Sequence, residues 1–149
     1  MNPVQQYLLH RFPRLKLNNH KIVSPATPRY NCVAWAAEDS TRWWWPSNNY
    51  WPSGSVKEVQ LEAFEGMFEV LGYKKCDDPK PEAGYIKIAI FIHIADGKPT
   101  HVARQLSNGK WTSKMGPQHD IEHDQPDLLC GSEYGNIASY MRKRQQKNA

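Results

Sequence analysis

The sequence predicts a single α+β domain, and three observations lead to this fold class. The chain has 149 residues, of which 40% are hydrophobic and 23% are charged, which suits one globular domain with its own core. Apolar residues recur at helical spacing over residues 56–71, which predicts an amphipathic helix. After residue 84, short apolar runs alternate with turn sequences, which predicts an antiparallel β-meander. We therefore expect N-terminal helices packed on this meander.

The helical half begins at a lone cysteine. Asn31 is a favourable N-cap because its side-chain oxygen can accept a first-turn N–H, so "CVAWAAED" is predicted to be a helix that starts at Cys32. Residues 40–54 are rich in Pro, Ser and Asn, and they are predicted to form a loop that carries most of the tryptophans.

The next helix, 56–71, has signals at both ends. Ser55 and Glu58 match a capping box, and Gly72 is placed to end the helix. Its apolar stripe is explained by packing, and we assign it no chemistry.

The strands of the meander are predicted at residues 85–94, 100–106 and 110–115. The turn between the last two decides which side chains share a face. A three-residue Ser-Asn-Gly loop with Gly109 left-handed places Ser113 on the face of His101. A two-residue Asn-Gly loop shifts the register by one and places Lys114 there instead. We expect the three-residue loop.

The ends of the chain carry weaker patterns. Residues 1–28 are predicted to be an N-terminal extension, 116–140 an irregular segment that ends in a short helix, and 141–149 a disordered basic tail. No apolar run approaches the roughly 20 residues that span a bilayer, and we predict no membrane contact and no signal peptide. A cytoplasmic setting is expected, with delivery by another route left open.

The cysteine count and the net charge limit which partners and cofactors we expect. The 3 cysteines are odd in number and far apart, which argues against a disulfide framework. The net charge of +4 is modest and lies largely in the basic tail, so nucleic-acid binding is not favoured. We predict no cofactor, and the oligomeric state stays open. The spacing of His119, His123 and Cys130 could hold zinc on a helix, but prolines bracket the segment, so no metal site is predicted.

Cys32 and His101 are the candidate catalytic pair. First-turn N–H groups lower the pKa of a thiol and can hold an oxyanion, whereas burial raises that pKa. His101 opens a predicted strand, where an imidazole can reach a cleft at the sheet's end. We expect the sulfur within about 4 Å of a ring nitrogen, with both side chains on one face of the sheet. The alternative is that Cys32 is an inert core residue.

Three sequence blocks resemble the NlpC/P60 families of the papain-like superfamily. "THVARQLSNGKWTSK" is similar to the strand–turn–strand that carries their histidine, "PEAGYIKIAIF" to the strand before it, and "YNCVAWA" to the start of their cysteine helix. The chain also resembles an uncharacterised bacterial family with YNCxAWA, WWWP and THVARQL blocks. The resemblance implies a papain-like fold and a cysteine hydrolase.

The resemblance also implies roles for individual residues. Cys32 matches the nucleophile, His101 the base, and Ser113 the orienting third residue. Serine departs from the family's stronger orienting groups. If the turn before residue 110 is the two-residue loop, Asp120 or His123 becomes the third residue instead.

The residues around the cysteine form a predicted oxyanion site and substrate wall. It comprises Tyr30, Asn31, Trp43, Trp44, Trp45 and Trp51. The tryptophans either line a cleft with Cys32 at its floor or fill a core, and we expect at least one to line the cleft.

The predicted function is a thiol hydrolase or acyltransferase that acts on an amide bond of a peptide-like substrate. The resemblance implies a peptidoglycan-type peptide as the first candidate. The alternative is a catalytically inactive papain-like fold that acts as a binding module through its Trp-rich loop.

Overall fold

A seven-stranded antiparallel sheet organises the fold, and the computed structural model describes residues 2–145 of the chain. Within this range the α-helices are α1 (Pro3–Arg11), α2 (Cys32–Ala36) and α3 (Leu61–Val70). The strands are β1 (His20–Ser24), β2 (Lys74–Cys76), β3 (Tyr85–Ile92), β4 (Pro99–Gln105), β5 (Trp111–Lys114), β6 (Asp120–His123) and β7 (Asn136–Arg144). A 3-10 turn lies at Pro126–Leu129.

The α+β class is confirmed, and the predicted meander forms the centre of the sheet. The strand order is β1-β6-β5-β4-β3-β7-β2, so β3 to β6 are consecutive neighbours. β7 extends the meander beside β3, and β1 and β2 form the two edges. The histidine-bearing strand β4 therefore lies near the middle of the sheet, where both of its faces are covered.

The pleat of β3 and β4 divides the core in two. Ile88, Ile90 and Val102 pack with α2 and α3 on one face. Phe91 and Ala103 pack with the side chains of α1 on the other face. Since both faces are covered, β3 is an almost continuous isoleucine-rich run rather than an alternating strand.

The turn between β4 and β5 is the predicted three-residue loop. Gly109 is left-handed with φ +86°, and the Leu106 N–H donates to the Lys110 carbonyl at 2.7 Å. Arg104 pairs with Thr112. Continuing this register pairs residue 103 with residue 113, so Ser113 lies on the same face as His101.

The N-terminal segment is not an extension, and that prediction is wrong. α1 places Leu8 against the second face of the sheet, and Phe12 and Leu15 continue this cover. β1 pairs with β6 and closes one edge of the sheet. The first 28 residues belong to the core because the second face of the sheet would otherwise be open to water.

The segment after the meander is also more ordered than predicted. Residues 116–140 contain β6, the 3-10 turn and the start of β7, and the expected short helix is a strand. The disordered-tail prediction is wrong for residues 141–144, which complete β7; residues 146–149 lie outside the described part. Met141 is fully buried opposite Ile88, and Arg142 forms an ion pair with Glu82, so this basic stretch has partners that hold it in the sheet.

The start of α3 differs from the prediction, whereas its end agrees. Gln60 is the N-cap and makes no side-chain capping bond. The Ser55 hydroxyl donates instead to the Pro52 carbonyl at 2.6 Å, which holds the preceding residues in a turn. Gly72 ends the helix with φ +100°. None of the helices in the described range has the length and apolar character needed to cross a bilayer.

Replacing Gly135 by alanine should destabilise the protein severely. A Cβ at this position would lie 1.9 Å from the Ile92 carbonyl oxygen, and the backbone has φ +76°. We expect a loss of more than about 3 kcal/mol in the free energy of unfolding, measured by denaturant titration. Gly97→Ala is the control, because φ is also positive but the space is open, and it should cost only about 1–2 kcal/mol. Equal losses in the two variants would contradict the predicted clash.

Candidate active site

The N-cap of α2 fixes the cysteine and the tryptophan loop together. Asn31 Oδ1 accepts the Ala34 N–H at 3.2 Å, so the predicted cap and the helix start at Cys32 are confirmed. The same oxygen accepts the Trp44 N–H at 3.1 Å, and Asn31 Nδ2 donates to the Trp44 carbonyl at 2.7 Å. Asn31 is thus committed to the backbone of the loop, and its predicted contact with an oxyanion does not fit these bonds.

Burial dominates the chemistry of the Cys32 thiol. The side chain is only 6% exposed, and burial raises its pKa to about 11. The backbone N–H groups of Val102, Val33 and Cys32 and the charge of Lys114 oppose this shift without cancelling it. The thiol is therefore protonated at neutral pH, because a helix start of one turn does not outweigh desolvation.

Ser113 lies between two buried imidazoles. Its Oγ is 2.9 Å from His101 Nε2 and 2.9 Å from His123 Nε2. The other nitrogen of His123, Nδ1, is 2.8 Å from the carbonyl oxygen of Gln125. The orienting contact predicted for Ser113 is therefore present, and His123, named as an alternative third residue, joins it in one chain of hydrogen bonds.

The direction of this chain fixes the tautomer of His101. A carbonyl oxygen only accepts, so His123 Nδ1 carries the proton that it donates to Gln125. His123 Nε2 then accepts the Ser113 hydroxyl hydrogen, and the Ser113 oxygen accepts the Nε2–H of His101. His101 Nδ1 is left with a lone pair, and it is buried without a hydrogen-bond partner among the described residues. His101 is thereby held as a neutral base.

Both imidazoles are kept neutral by burial. His101 and His123 are 0% exposed. Burial holds the pKa of His101 well below its usual range, and it lowers the pKa of His123 to about 4. A neutral His101 can accept a proton, which is the requirement for a general base at neutral pH.

Tyr134 covers the imidazole of His101, a role that was not predicted from the sequence. The two rings stack at 4.2 Å with an interplanar angle of 6°. The Tyr134 carbonyl accepts the Thr100 hydroxyl at 2.6 Å, which ties the loop to the start of β4. The signal in the sequence is Tyr134 beside Gly135, whose missing side chain lets the loop pass the Ile92 carbonyl.

Cys32 packs against one face of β4, and the side chain of His101 lies on the other face. The expectation that they share one face is therefore wrong. His101 lies opposite Phe91 on the α1 face, because successive residues of a strand alternate. α2 packs on the other face, where Val102 lies. Among the described residues, no hydrogen bond joins the sulfur to His101 Nδ1.

The sulfur nevertheless reaches the edge of β4. The Val102 N–H, on the peptide that joins it to His101, donates to the sulfur. The ladder between β4 and β5 pairs only Arg104 with Thr112 and Gln105 with Trp111, so the two strands separate beyond these residues. Cys32 and Tyr134, which covers His101, line one cavity at this separation.

The tryptophan loop forms part of the wall of this cavity, which has a volume of about 300 Å³. Trp43 and Trp45 line it with Cys32, so the prediction that at least one tryptophan borders the cysteine is confirmed. Trp44 and Trp51 are 5% and 4% exposed and belong to the core, so their predicted place in the substrate wall is wrong. Trp45 belongs to both the wall and the core, because it borders the cavity and its ring also packs on the core residue Phe64, with the centroids 5.4 Å apart.

Tyr30 and Asp120 form a separate buried pair. The Tyr30 hydroxyl donates to Asp120 Oδ2 at 2.7 Å, and Ser24 donates to the same oxygen at 2.5 Å. The single hydroxyl hydrogen of Tyr30 is thus used, and its predicted role in stabilising an oxyanion is wrong. Asp120 is engaged here rather than on His101, so it does not serve as the alternative third residue.

Lys114 is a buried cation behind the cavity, and the sequence did not identify it as part of the site. It is 0% exposed, and its Nζ donates to the carbonyls of Thr27 and Gly116 at 2.7 and 2.6 Å. Gly116 also lines the cavity of Cys32. Burial lowers the pKa of Lys114, while the charges of Asp120 and Cys32 oppose this shift. Its positive charge favours the thiolate over the thiol.

A metal site is not indicated within the described range. No group of three His, Cys, Asp or Glu side chains there could hold an ion. His123 is instead occupied by Ser113 and Gln125.

The two buried imidazoles should make the protein sensitive to acid. Their native pKa values lie below the unfolded value of about 6.5, so the unfolded chain binds protons first as the pH falls. The stability they contribute is complete above about pH 6.5 and is lost as the pH falls towards 4, at up to about 1.4 kcal/mol per pH unit for each proton. His123→Gln should reduce this slope between pH 6.5 and 4, measured by denaturant unfolding. His93→Gln, at a half-buried position outside this hydrogen-bond chain, is the matched control. Equal slopes in His123→Gln and the native chain would refute the assignment.

Two buried lysines allow a test of how a nearby positive charge affects the pKa of each cysteine. Lys114→Met removes the positive charge that acts on Cys32, so the pH midpoint of Cys32 alkylation should rise. Lys87→Met, at a second buried lysine, removes the charge that acts on Cys76, so the midpoint of Cys76 should rise instead. Alkylation rates of each cysteine are measured against pH by mass spectrometry. No rise at Cys32 in Lys114→Met would contradict the local field, and a fall at both cysteines would show a general loss of structure, because exposure to water lowers the pKa of a buried thiol.

Comparisons with known proteins place the chain in a family without supplying an activity. No curated protein and no solved structure matches it. A family model matches residues 21–142, a range that contains the cysteine, the histidine–serine chain and Tyr134. The chain belongs to the family described as the domain of unknown function DUF7689.

Proposed function

We propose that this protein is a papain-like, NlpC/P60-like thiol hydrolase or acyltransferase that acts on an amide bond. The observation that carries the proposal is the hydrogen-bond chain that leaves His101 Nδ1 as a free, buried lone pair near the separation of β4 and β5. A base in this tautomer, with its Nε2–H held by a hydroxyl, has the form required to take a proton from a thiol.

Opposite faces of a sheet would exclude a catalytic pair if the sulfur remained behind the strand. The Val102 N–H instead draws the sulfur to the edge of β4, and the strand beyond it is not paired with β5. Catalytic hydrogen bonds are often long in a free enzyme and shorten when substrate binds. The mechanism therefore requires a turn of the Cys32 side chain that brings its sulfur to His101 Nδ1.

The reaction then proceeds in two balanced steps. The Cys32 sulfur attacks the amide carbonyl carbon while its proton passes to His101 Nδ1, and the backbone N–H of Cys32 stabilises the oxyanion. The tetrahedral intermediate collapses, the C–N bond breaks, and the amine leaves with the proton from His101. Water or an acceptor amine attacks the thioester, gives its proton to His101, and the thiol is released with that proton. Cytoplasmic action is part of this proposal, as the sequence suggested.

The second candidate is a binding module that uses the same cavity without chemistry. It is favoured by the protonated resting thiol and by the lack of a hydrogen bond between Cys32 and His101 in the described structure. In this case the tryptophans would hold a ligand and the buried polar chain would only support the sheet.

Turnover of a panel of acyl aminocoumarin amides separates the two candidates. Cys32→Ser should abolish release of the coumarin, and His101→Gln should reduce kcat by about 100-fold or more. Ser113→Ala retains the fold more readily; it should lower kcat with little change in KM and alter the pH profile, because the tautomer of His101 is no longer fixed. Cys130→Ser, at a buried thiol outside the cavity, is the matched control. Full activity of Cys32→Ser, or binding without turnover by the native chain, would refute the enzyme proposal.

A further inference from the structure

The side chains around Cys32 restrict the chemistry of a substrate. Among the described residues that line the cavity, none carries a formal charge, and the largest are Trp43, Trp45 and Tyr134. We propose that this cavity binds the acyl side of the substrate, and that the acyl group is an uncharged apolar one of the size of a single aromatic or branched aliphatic side chain. This inference rests on the proposed function and names its substrate class.

Two polar side chains of the wall are already engaged within the protein, and a third, Asn49, is an uncharged amide. Asn31 is bonded to Ala34 and Trp44, and the Thr100 hydroxyl donates to the Tyr134 carbonyl. A charged acyl group would lose its water on binding and find no partner of opposite charge in the wall, which is costly. An aromatic or aliphatic group would instead gain contact with the tryptophan and tyrosine rings.

Two charged residues beside the cavity wall, Lys114 and Arg42, do not change this conclusion. Lys114 lies behind the cavity and is fully buried, so it cannot contact a ligand, but its charge repels a cationic acyl group. Arg42 is paired with Asp39 at 3.0 Å and its guanidinium stacks on the Tyr50 ring at 3.3 Å. Its charge is therefore compensated outside the cavity.

The size of the cavity sets the extent of the group that it accepts. A volume of about 300 Å³ lies at the lower end of the range for small-molecule sites. It suits one side chain rather than a length of peptide, so the rest of the substrate must lie outside. A peptidoglycan-type peptide, as implied by the resemblance, would have to present a neutral residue here.

Near-isosteric substrates test the inference directly. N-acetyl aminocoumarin amides of Leu, Asn and Asp differ in polarity and charge at similar size, and those of Phe and Lys test an aromatic ring and a cation. We expect kcat/KM for the Leu and Phe amides to exceed that for the Asp and Lys amides by about 100-fold or more. A preference for the Asp or Lys amide, or equal rates for all, would overturn the inference while the enzyme proposal stands.

Variants locate the preference in the cavity wall. Trp43→Ala should raise KM for the Phe amide by about 10-fold or more and reduce the preference over Asp, with little change in thermal midpoint. Trp51→Phe is the matched control, because Trp51 is in the core: it should lower the midpoint and leave the preference unchanged. Loss of preference in Trp51→Phe but not in Trp43→Ala would overturn the assignment.

A binding measurement distinguishes failure of the inference from failure of the proposed function. N-acetyl-phenylalanine amide and N-acetyl-aspartic acid α-amide, whose side-chain carboxylate is free, are titrated into Cys32→Ser by calorimetry, so no turnover is needed. Tighter binding of the phenylalanine compound supports a neutral apolar site even if the native chain shows no hydrolysis. Equal or reversed affinities would overturn the inference whether or not catalysis is found.

Discussion

The rest of the site depends on the two hydrogen bonds that the Ser113 hydroxyl makes to His101 and His123. This hydroxyl has one hydrogen and one oxygen to offer, and both are used between the two imidazoles. Because His123 is fixed by the Gln125 carbonyl, the hydroxyl has one available direction, and this direction sets the tautomer of His101. A slip of one residue in the turn before β5 would bring Lys114 to this face and remove the connection. The tautomer of His101 therefore depends on the left-handed Gly109, which sets the register of this turn.

Burial gives the site its charge state. It raises the pKa of Cys32 to about 11 and depresses that of His101, so the resting pair is a neutral thiol and a neutral imidazole. A preformed thiolate–imidazolium pair would need both shifts to be reversed. Under the proposed mechanism, proton transfer must therefore accompany attack on the carbonyl, and Lys114 and the backbone N–H groups would compensate the charge that develops on sulfur.

The parts of the fold that were predictable are those set by neighbours in the sequence. The cap by Asn31, the end of α3 at Gly72 and the turn at Gly109 each depend on a few adjacent residues. The position of Tyr134 on His101 and the place of β7 beside β3 depend on contacts between distant segments. No local pattern encodes such pairings, and the basic residues of β7 resemble a solvated tail until Glu82 is placed opposite Arg142. The common face expected for Cys32 and His101 failed for the same reason, since it required the packing side of α2.

The tryptophan loop contributes both to the hydrophobic core and to the wall of the cavity. Trp44 is held at its backbone by Asn31 and at its indole N–H by Asp39, at 2.8 Å, so the loop is anchored at its centre. Trp44 is buried, whereas its neighbours Trp43 and Trp45 both border the cavity, and the ring of Trp45 also packs on Phe64 in the core. Asn31, which holds the Trp44 backbone, is also the N-cap of α2, the helix that starts at Cys32. Any movement of the loop would therefore be transmitted to the start of α2, and the position of the sulfur and the shape of the cavity wall are set by the same few hydrogen bonds.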